Sequence, residues 1–205
     1  MKIRKVKIKQ LLKLNLLKSK VYEQPIKKMK FDNLIDANLN KIVTDIKKVL
    51  QIVFHYHKAE RRILFVGLPY KLEFKINQST KHVAVHKSFD IQGIISNNEW
   101  KSFNVNKSLS QIWLKESSNF LLPKLTKKLD LIVMFDHDKT KTILSEAQAI
   151  RVPVVLFGTD LDSQNRALYN VEGNFKNVLT ASDKNIFFAG LNFLFKNLNK
   201  NNRSY

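Results

Sequence analysis

Two runs of consecutive branched and aromatic residues, LDLIVMF ending at Phe135 and VPVVLF ending at Phe157, leave this chain little choice of architecture. A strand with one wet face alternates apolar and polar residues. These runs do not alternate, so each reads as a strand buried on both faces, the habit of parallel sheets covered by helices on either side. Between them, DKTKTILSEAQAI places Ile143, Leu144, Ala147 and Ile150 on one helical face, with Asp138 a candidate N-cap. Pro153 is tolerable because it sits at a strand start. Strand, helix and strand in about thirty residues form one βαβ unit, which closes right-handed in nearly all folds. The class expected is α/β with a parallel sheet.

The rest of the chain fits that frame. From Leu39 the positions Ile42, Val43, Ile46, Val49, Leu50 and Val53 recur at three- and four-residue steps and predict a helix to about Lys58. RILFVG follows as a buried strand with Gly67 in the turn after it, and HVAV, His82 to Val85, is a further short strand. LPYKLEFKINQ lies between them: its alternation at Tyr70, Leu72, Phe74 and Ile76 suggests a strand, while an α/β crossover calls for a helix. Residues 97–128 mix Trp100, Phe103, Trp113 and Phe120 with Lys, Ser and Asn, and Pro123 interrupts any long helix, so short helices are expected there. Near the end, Ser182 or Asp183 is placed to cap a helix with Phe187, Leu191, Phe193, Leu194 and Leu198 on its apolar face. The organisation expected is a basic arm over 1–30, one α/β domain over 31–200 in which 97–128 is an insertion, and a polar tail over 201–205.

Charge narrows the partner. Thirty-six Lys and Arg stand against seventeen Asp and Glu among 205 residues, a net +19, and self-repulsion on that scale calls for a polyanion. No stretch approaches the ~18 apolar residues of a spanning helix, which favours nucleic acid over a membrane. The first thirty residues hold eleven of the cations (Lys2, Arg4, Lys5, Lys7, Lys9, Lys13, Lys18, Lys20, Lys27, Lys28 and Lys30) against the single Glu23. Neutralising phosphates with such a cluster releases counterions and gives strong, salt-dependent, sequence-tolerant affinity. These are the candidate RNA-binding residues. The segment is also compatible with a mitochondrial presequence, the absence of cysteine with a reducing compartment, and the abundance of Asn, Lys, Ile and Phe with an AT-rich genome.

Catalytic candidates are few. In DHDKT, Asp136 and Asp138 close an apolar strand as they do in phosphoryl-transfer enzymes of the haloacid-dehalogenase type, where one aspartate attacks phosphorus, a second handles the proton and magnesium balances the charge. Thr159 after the next strand suits that scheme, but neither Glu172 nor Asp183 supplies the acidic pair needed to complete the ion site. An aspartate at a strand exit also caps the next helix and favours its positive end, and that reading is preferred. The turn after RILFV carries one glycine where a phosphate cradle needs several. His55 and His57 form an H-x-H pair, yet two residues apart on a helix they face different ways. No catalytic residue, metal ligand or cofactor is expected.

The segment LDLIVMFDHDKTKTILSEAQAIRVPVVLFGTDLDS, Leu129 to Ser163, resembles the small-ribosomal-subunit protein S-two family in its order of strand, Asp-containing turn, helix, x-x-x-P-V-V strand and Thr-Asp-rich loop. RILFVGLP is similar to the family strand that ends F-V-G, FDIQGIISN to the stretch holding its Trp-Leu-Gly-Gly run, and LLKLNLLKSKVYEQPIKKMKFDNLI to its opening, including Pro25, Lys28 and Met29. With gaps the likeness spans most of residues 10–198. Departures are the loss of the opening His and Gly around Leu17 to Lys20, Phe89 for a Trp, Ile94 for a Gly, and a long coiled-coil hairpin cut to about Asn97–Lys128. Either VEGN or LTASDKN stands for the family's Pro-Gly-Asn-Asp turn, the latter preferred because a helix follows directly. The resemblance implies a Rossmann-like parallel sheet flanked by helices, a shortened helical insertion, and a non-catalytic place at the head and body junction of the small subunit. Its partners would be small-subunit ribosomal RNA and neighbouring ribosomal proteins, and the drift suggests a mitochondrial ribosome.

Overall fold

Buried strands need partners on both sides and helices above and below, and the computed structural model supplies both. It describes residues 2–18, 32–86, 93, 95, 128–135, 140–158, 167–173, 175 and 186–201. Five strands, β1 (Ile63–Val66), β2 (Val83–Val85), β3 (Leu131–Phe135), β4 (Val154–Phe157) and β5 (Tyr169–Val171), form one all-parallel sheet in the order β2-β1-β3-β4-β5. The helices are α1 (Lys2–Lys18), α2 (Asp32–Lys58), α3 (Tyr70–Ser79), α4 (Thr140–Ala149) and α5 (Ile186–Asn201). This is the α/β, Rossmann-like class, with the doubly wound order 2-1-3-4-5.

The period-two alternation of side chains divides the core in two. Ile63, Phe65, Leu131, Val133, Phe135, Val155 and Phe157 point to one face, where Leu16 of α1, Ile42, Ile46 and Val53 of α2, Leu72 and Ile76 of α3, and Phe187, Leu191 and Phe195 of α5 cover them. Leu64, Val66, Ile132, Met134, Val154 and Leu156 point to the other, against Ile143, Leu144 and Ala147 of α4. The chain steps from β1 to β2 in one direction along the sheet and from β3 to β4 in the other. Two crossovers of the same hand must then put α3 and α4 on opposite faces, as they are.

Local packing explains where the helices sit. Gly190 of α5 lies close against Leu50 of α2: a Cβ there would stand 2.7 Å from Leu50 Cδ1, the movable end of that side chain. Tyr169 of β5 donates its hydroxyl to Asp45 of α2 at 2.7 Å, fastening the last strand to the longest helix. Burial first, and then the bond to the Asp45 carboxylate, push the Tyr169 hydroxyl above its usual range.

The structure resolves one open reading, corrects one expectation and adds a strand. LPYKLEFKINQ is α3: Leu72 and Ile76 are buried at helical spacing while Tyr70 and Phe74 are exposed, so the alternation marks one helical stripe. Phe193 is 66% exposed, because the buried face of α5 runs through Phe187, Phe188, Leu191 and Phe195 and Phe193 falls opposite Leu191. The edge strand β5, at three residues, is too short to leave a signal; VEGN marks its exit, and α5 begins just past LTASDKN. Residues 96–127, 174, 176–185 and 202–205 lie outside the described residues, as does the proposed cap Asp138.

The edge strand β2 is closed by a side chain. Asn77 of α3 donates to the Ala84 carbonyl at 2.7 Å and accepts from the Ala84 N–H at 2.8 Å, on the side away from β1. An edge with unpaired backbone groups invites foreign strands, and this amide occupies it. Asn77→Ala is expected to cost about 1–3 kcal/mol for each backbone group left without a partner, read from urea unfolding; an unchanged midpoint would show that the clamp contributes nothing.

Candidate nucleic-acid interface

The cations that the sequence marks fall on α1 and beyond it. Lys2, Arg4, Lys5, Lys7, Lys9, Lys13 and Lys18 lie along that helix, which contains no acid; Lys20, Lys27, Lys28 and Lys30 lie outside the described residues. Lys7 and Lys9 are exposed and Lys13 is half-buried. The helix is more than an appended arm. Leu16 is 1% exposed within the core cluster, and Leu12, one turn earlier, packs beside it. Docking through Leu12 and Leu16 leaves Ile8, Leu11, Leu14 and Leu17 exposed elsewhere on the helix, a row of aliphatics among lysines.

The outer side of α2 extends the basic surface with Lys47, Lys48 and Lys58, all exposed. Not every lysine there is available to phosphate. Lys41 donates to Glu172 Oε1 at 2.8 Å, a bond that raises its pKa, and Lys48 stands 3.8 Å from Asp45 and 5.9 Å from the Tyr169 ring centre. Lys81 pairs with Glu60 at 3.2 Å. Sequence counting does not separate engaged cations from open ones, because their partners are more than a hundred residues away in the case of Lys41 and Glu172.

The phosphoryl-transfer candidates Asp136, Asp138 and Thr159, with Asp183, lie outside the described residues. Asp136 and Thr159 follow the carboxyl ends of β3 and β4, which are paired neighbours in the sheet. Glu172, just past β5, is held by Lys41. Gly67 turns the chain out of β1 with φ +82°, where a side chain would be strained. Trp100 and Trp113 also lie outside the described residues.

His55 and His57 part company as the helical spacing requires. His55 is exposed; His57 turns inward onto His82, which is 0% exposed at the start of β2. Ile63 N–H donates to His82 Nδ1 at 3.3 Å, so the ring carries its proton on Nε2 and gives it to His57 Nδ1. Phe65 and Phe195 pack around the pair. Burial, helped by His57 and Lys81, holds His82 far below its ordinary range, at about 3, and burial lowers His57 as well. Both rings are neutral fasteners between α2, β1 and β2. Among the described residues no three His, Cys, Asp or Glu side chains gather as a metal site, and no helix is long and apolar enough to cross a membrane.

No family model matches the chain, and no curated protein matches it.

Two outcomes follow from this geometry. Leu16→Ala is expected to lower stability by about 2–5 kcal/mol, as for other buried leucines, while the pair Lys7→Gln and Lys9→Gln leaves the unfolding midpoint in place and weakens binding to a polyanion. Neutral in the fold, His82 takes up a proton near pH 6.5 once unfolded, so its contribution is whole above that pH and declines as the pH falls toward 3. Glu73, pushed up to about 7 by burial, acts in the opposite sense, and a comparison of variants cancels it. Between pH 7.5 and 5.5 the wild type is expected to lose about 1.4 kcal/mol more than His82→Gln, measured by urea titration; equal losses would place the proton elsewhere.

Proposed function

We propose that this chain is a structural constituent of the small subunit of a mitochondrial ribosome, a scaffold that sits against small-subunit ribosomal RNA and neighbouring ribosomal proteins and turns nothing over. The observation that carries this reading is the charge: a net +19, with eleven cations and one acid in the first thirty residues. An isolated chain suffers from such repulsion, and a phosphate backbone relieves it. Three further features support it. The segment Leu129 to Ser163 resembles the S-two family in order and spacing; α1 turns Lys7 and Lys9 outward; and the aliphatic row Ile8, Leu11, Leu14 and Leu17 offers a protein neighbour an apolar contact beside the phosphate-facing lysines. In this reading the sheet is an inert frame, and Asp136 serves the turn after β3.

Sedimentation of the tagged chain through a magnesium-containing gradient is the direct test. It is expected to run with small subunits, in stoichiometric amount, and to be released as salt rises; recovery only in the free soluble pool would overturn the proposal. The rival reading, a magnesium-dependent phosphatase built on Asp136, Asp138 and Thr159, rests on the adjacency of the two strand ends that carry them. It requires phosphate release that Asp136→Asn abolishes, and equal background rates for the two proteins would dismiss it.

A further inference from the structure

The outward side of α3 is built differently from that of α1. Tyr70 and Phe74, one turn apart, stand 72% and 52% exposed with their rings stacked, centroids 6.4 Å apart and planes at 27°. The fold does not need aromatic rings there: Leu72 and Ile76 on the opposite side make the core contact, and an i, i+4 side-chain pair stabilises a helix by only about 0.2–0.5 kcal/mol. Two large rings held in water have another use.

Their surroundings say which. Lys71, next to Tyr70, is exposed, while Lys75 reaches across to α5 and donates to Asn192 Oδ1 at 3.0 Å. Glu73, the one acid of α3, turns inward: its Oε2 is buried without a hydrogen-bond partner, and burial pushes the carboxyl up to about 7. The side of α3 that faces water therefore offers two flat rings and cations with little opposing charge. Exposed rings also anchor protein interfaces, so the direction comes from the charge: the exposed ammonium of Lys71, next to Tyr70, calls for an anion.

Position agrees with chemistry. α3 starts at the carboxyl end of β1, and α4 follows the carboxyl end of β3 on the other face of the sheet. Between β1 and β3 the order of strands reverses, and in open α/β sheets ligands gather outside the carboxyl ends at such a point. Tyr70 is the first residue of α3 at that edge.

We propose that Tyr70 and Phe74 form a stacking platform for an unpaired base of single-stranded RNA, with Lys71 against the flanking phosphate. This rests on the reading that the chain works against RNA and adds to it a second contact, remote in sequence from the basic segment and dependent on the base as well as the backbone. Any base offers a π face, so the platform accepts sequence broadly while distinguishing an exposed base from a bare sugar-phosphate chain.

The test uses the full chain with two labelled probes, a short oligouridylate and an abasic strand of equal length, read by fluorescence anisotropy across a salt series. The wild type is expected to prefer the oligouridylate. Tyr70→Ala with Phe74→Ala is expected to weaken oligouridylate binding by about 5- to 150-fold, the range for loss of one stacked base, and to remove the preference while the slope against salt stays as in the wild type. Lys71→Gln is expected to weaken both probes alike and to shallow the slope by about 0.7, the value for one phosphate contact on a single strand. If the alanine pair unfolds, Tyr70→Leu with Phe74→Leu keeps apolar helix-forming side chains without flat rings and is expected to lose the preference equally. A ring-less variant that keeps the preference would overturn the platform and assign the rings to a protein neighbour. A wild type that binds both probes equally would remove the platform but leave the polyanion reading standing, and one that binds neither would remove both.

Discussion

Everything in this molecule answers to one requirement: a parallel sheet whose strands are apolar on both faces must be roofed on both sides. Ile63, Phe65, Val133 and Phe135 are sealed by α2, α3 and α5, and Leu64, Ile132, Met134 and Leu156 by α4. The sheet can then present nothing to a partner except the loops at its ends and the far sides of its helices. The β2 edge is attended to as well, by the Asn77 amide, and the bond from Tyr169 to Asp45 ties β5 to α2. Function in such a frame has to be written on helices and turns, and that is where the open cations and exposed rings stand.

The electrostatics follow from this division. Inside, several polar groups are met or neutral: His82 donates to His57 with both rings neutral, and Asp45 is met by a hydroxyl with an ammonium beside it. Outside, cations outnumber acids two to one, and some lysines are spent on internal pairs with Glu172 and Glu60. Among the described residues, open lysines stand on α1 and on the outer side of α2. The result is an apolar interior carrying a basic exterior, which suits the proposed contact with phosphates. α1 joins the two, since Leu16 belongs to the core while Lys7 and Lys9 belong to the surface.

The end of the sheet where the strand order reverses adds a second kind of chemistry. Phosphate contacts position a protein on nucleic acid without regard to sequence, whereas stacking on an aromatic ring engages the base itself. Tyr70 and Phe74 lie at that end on α3, while the phosphate-directed lysines are carried by α1 and α2. In the proposed reading, separating the two contacts over different elements would let the protein fix an RNA strand at more than one point.

The sequence by itself determined the class of fold, because the apolar runs ILFV, LIVMF and VVLF, with a helical stripe between the last two, read as strands buried between layers of helix. It determined the α2 stripe and the α4 face for the same reason, periodic burial being a local pattern. It also determined the net charge of +19, on which the proposed polyanion partner rests and which needs no coordinates. Tertiary structure alone decided which way α3 would go, since an alternating decapeptide with Leu72 and Ile76 satisfies either period until a neighbouring strand supplies a partner for Asn77. It alone joined His57 to His82 and Lys41 to Glu172, removed Phe193 from the core and enrolled Leu16 in it. Those outcomes depend on which distant residue arrives opposite, and periodicity along a chain holds no record of what stands across from it.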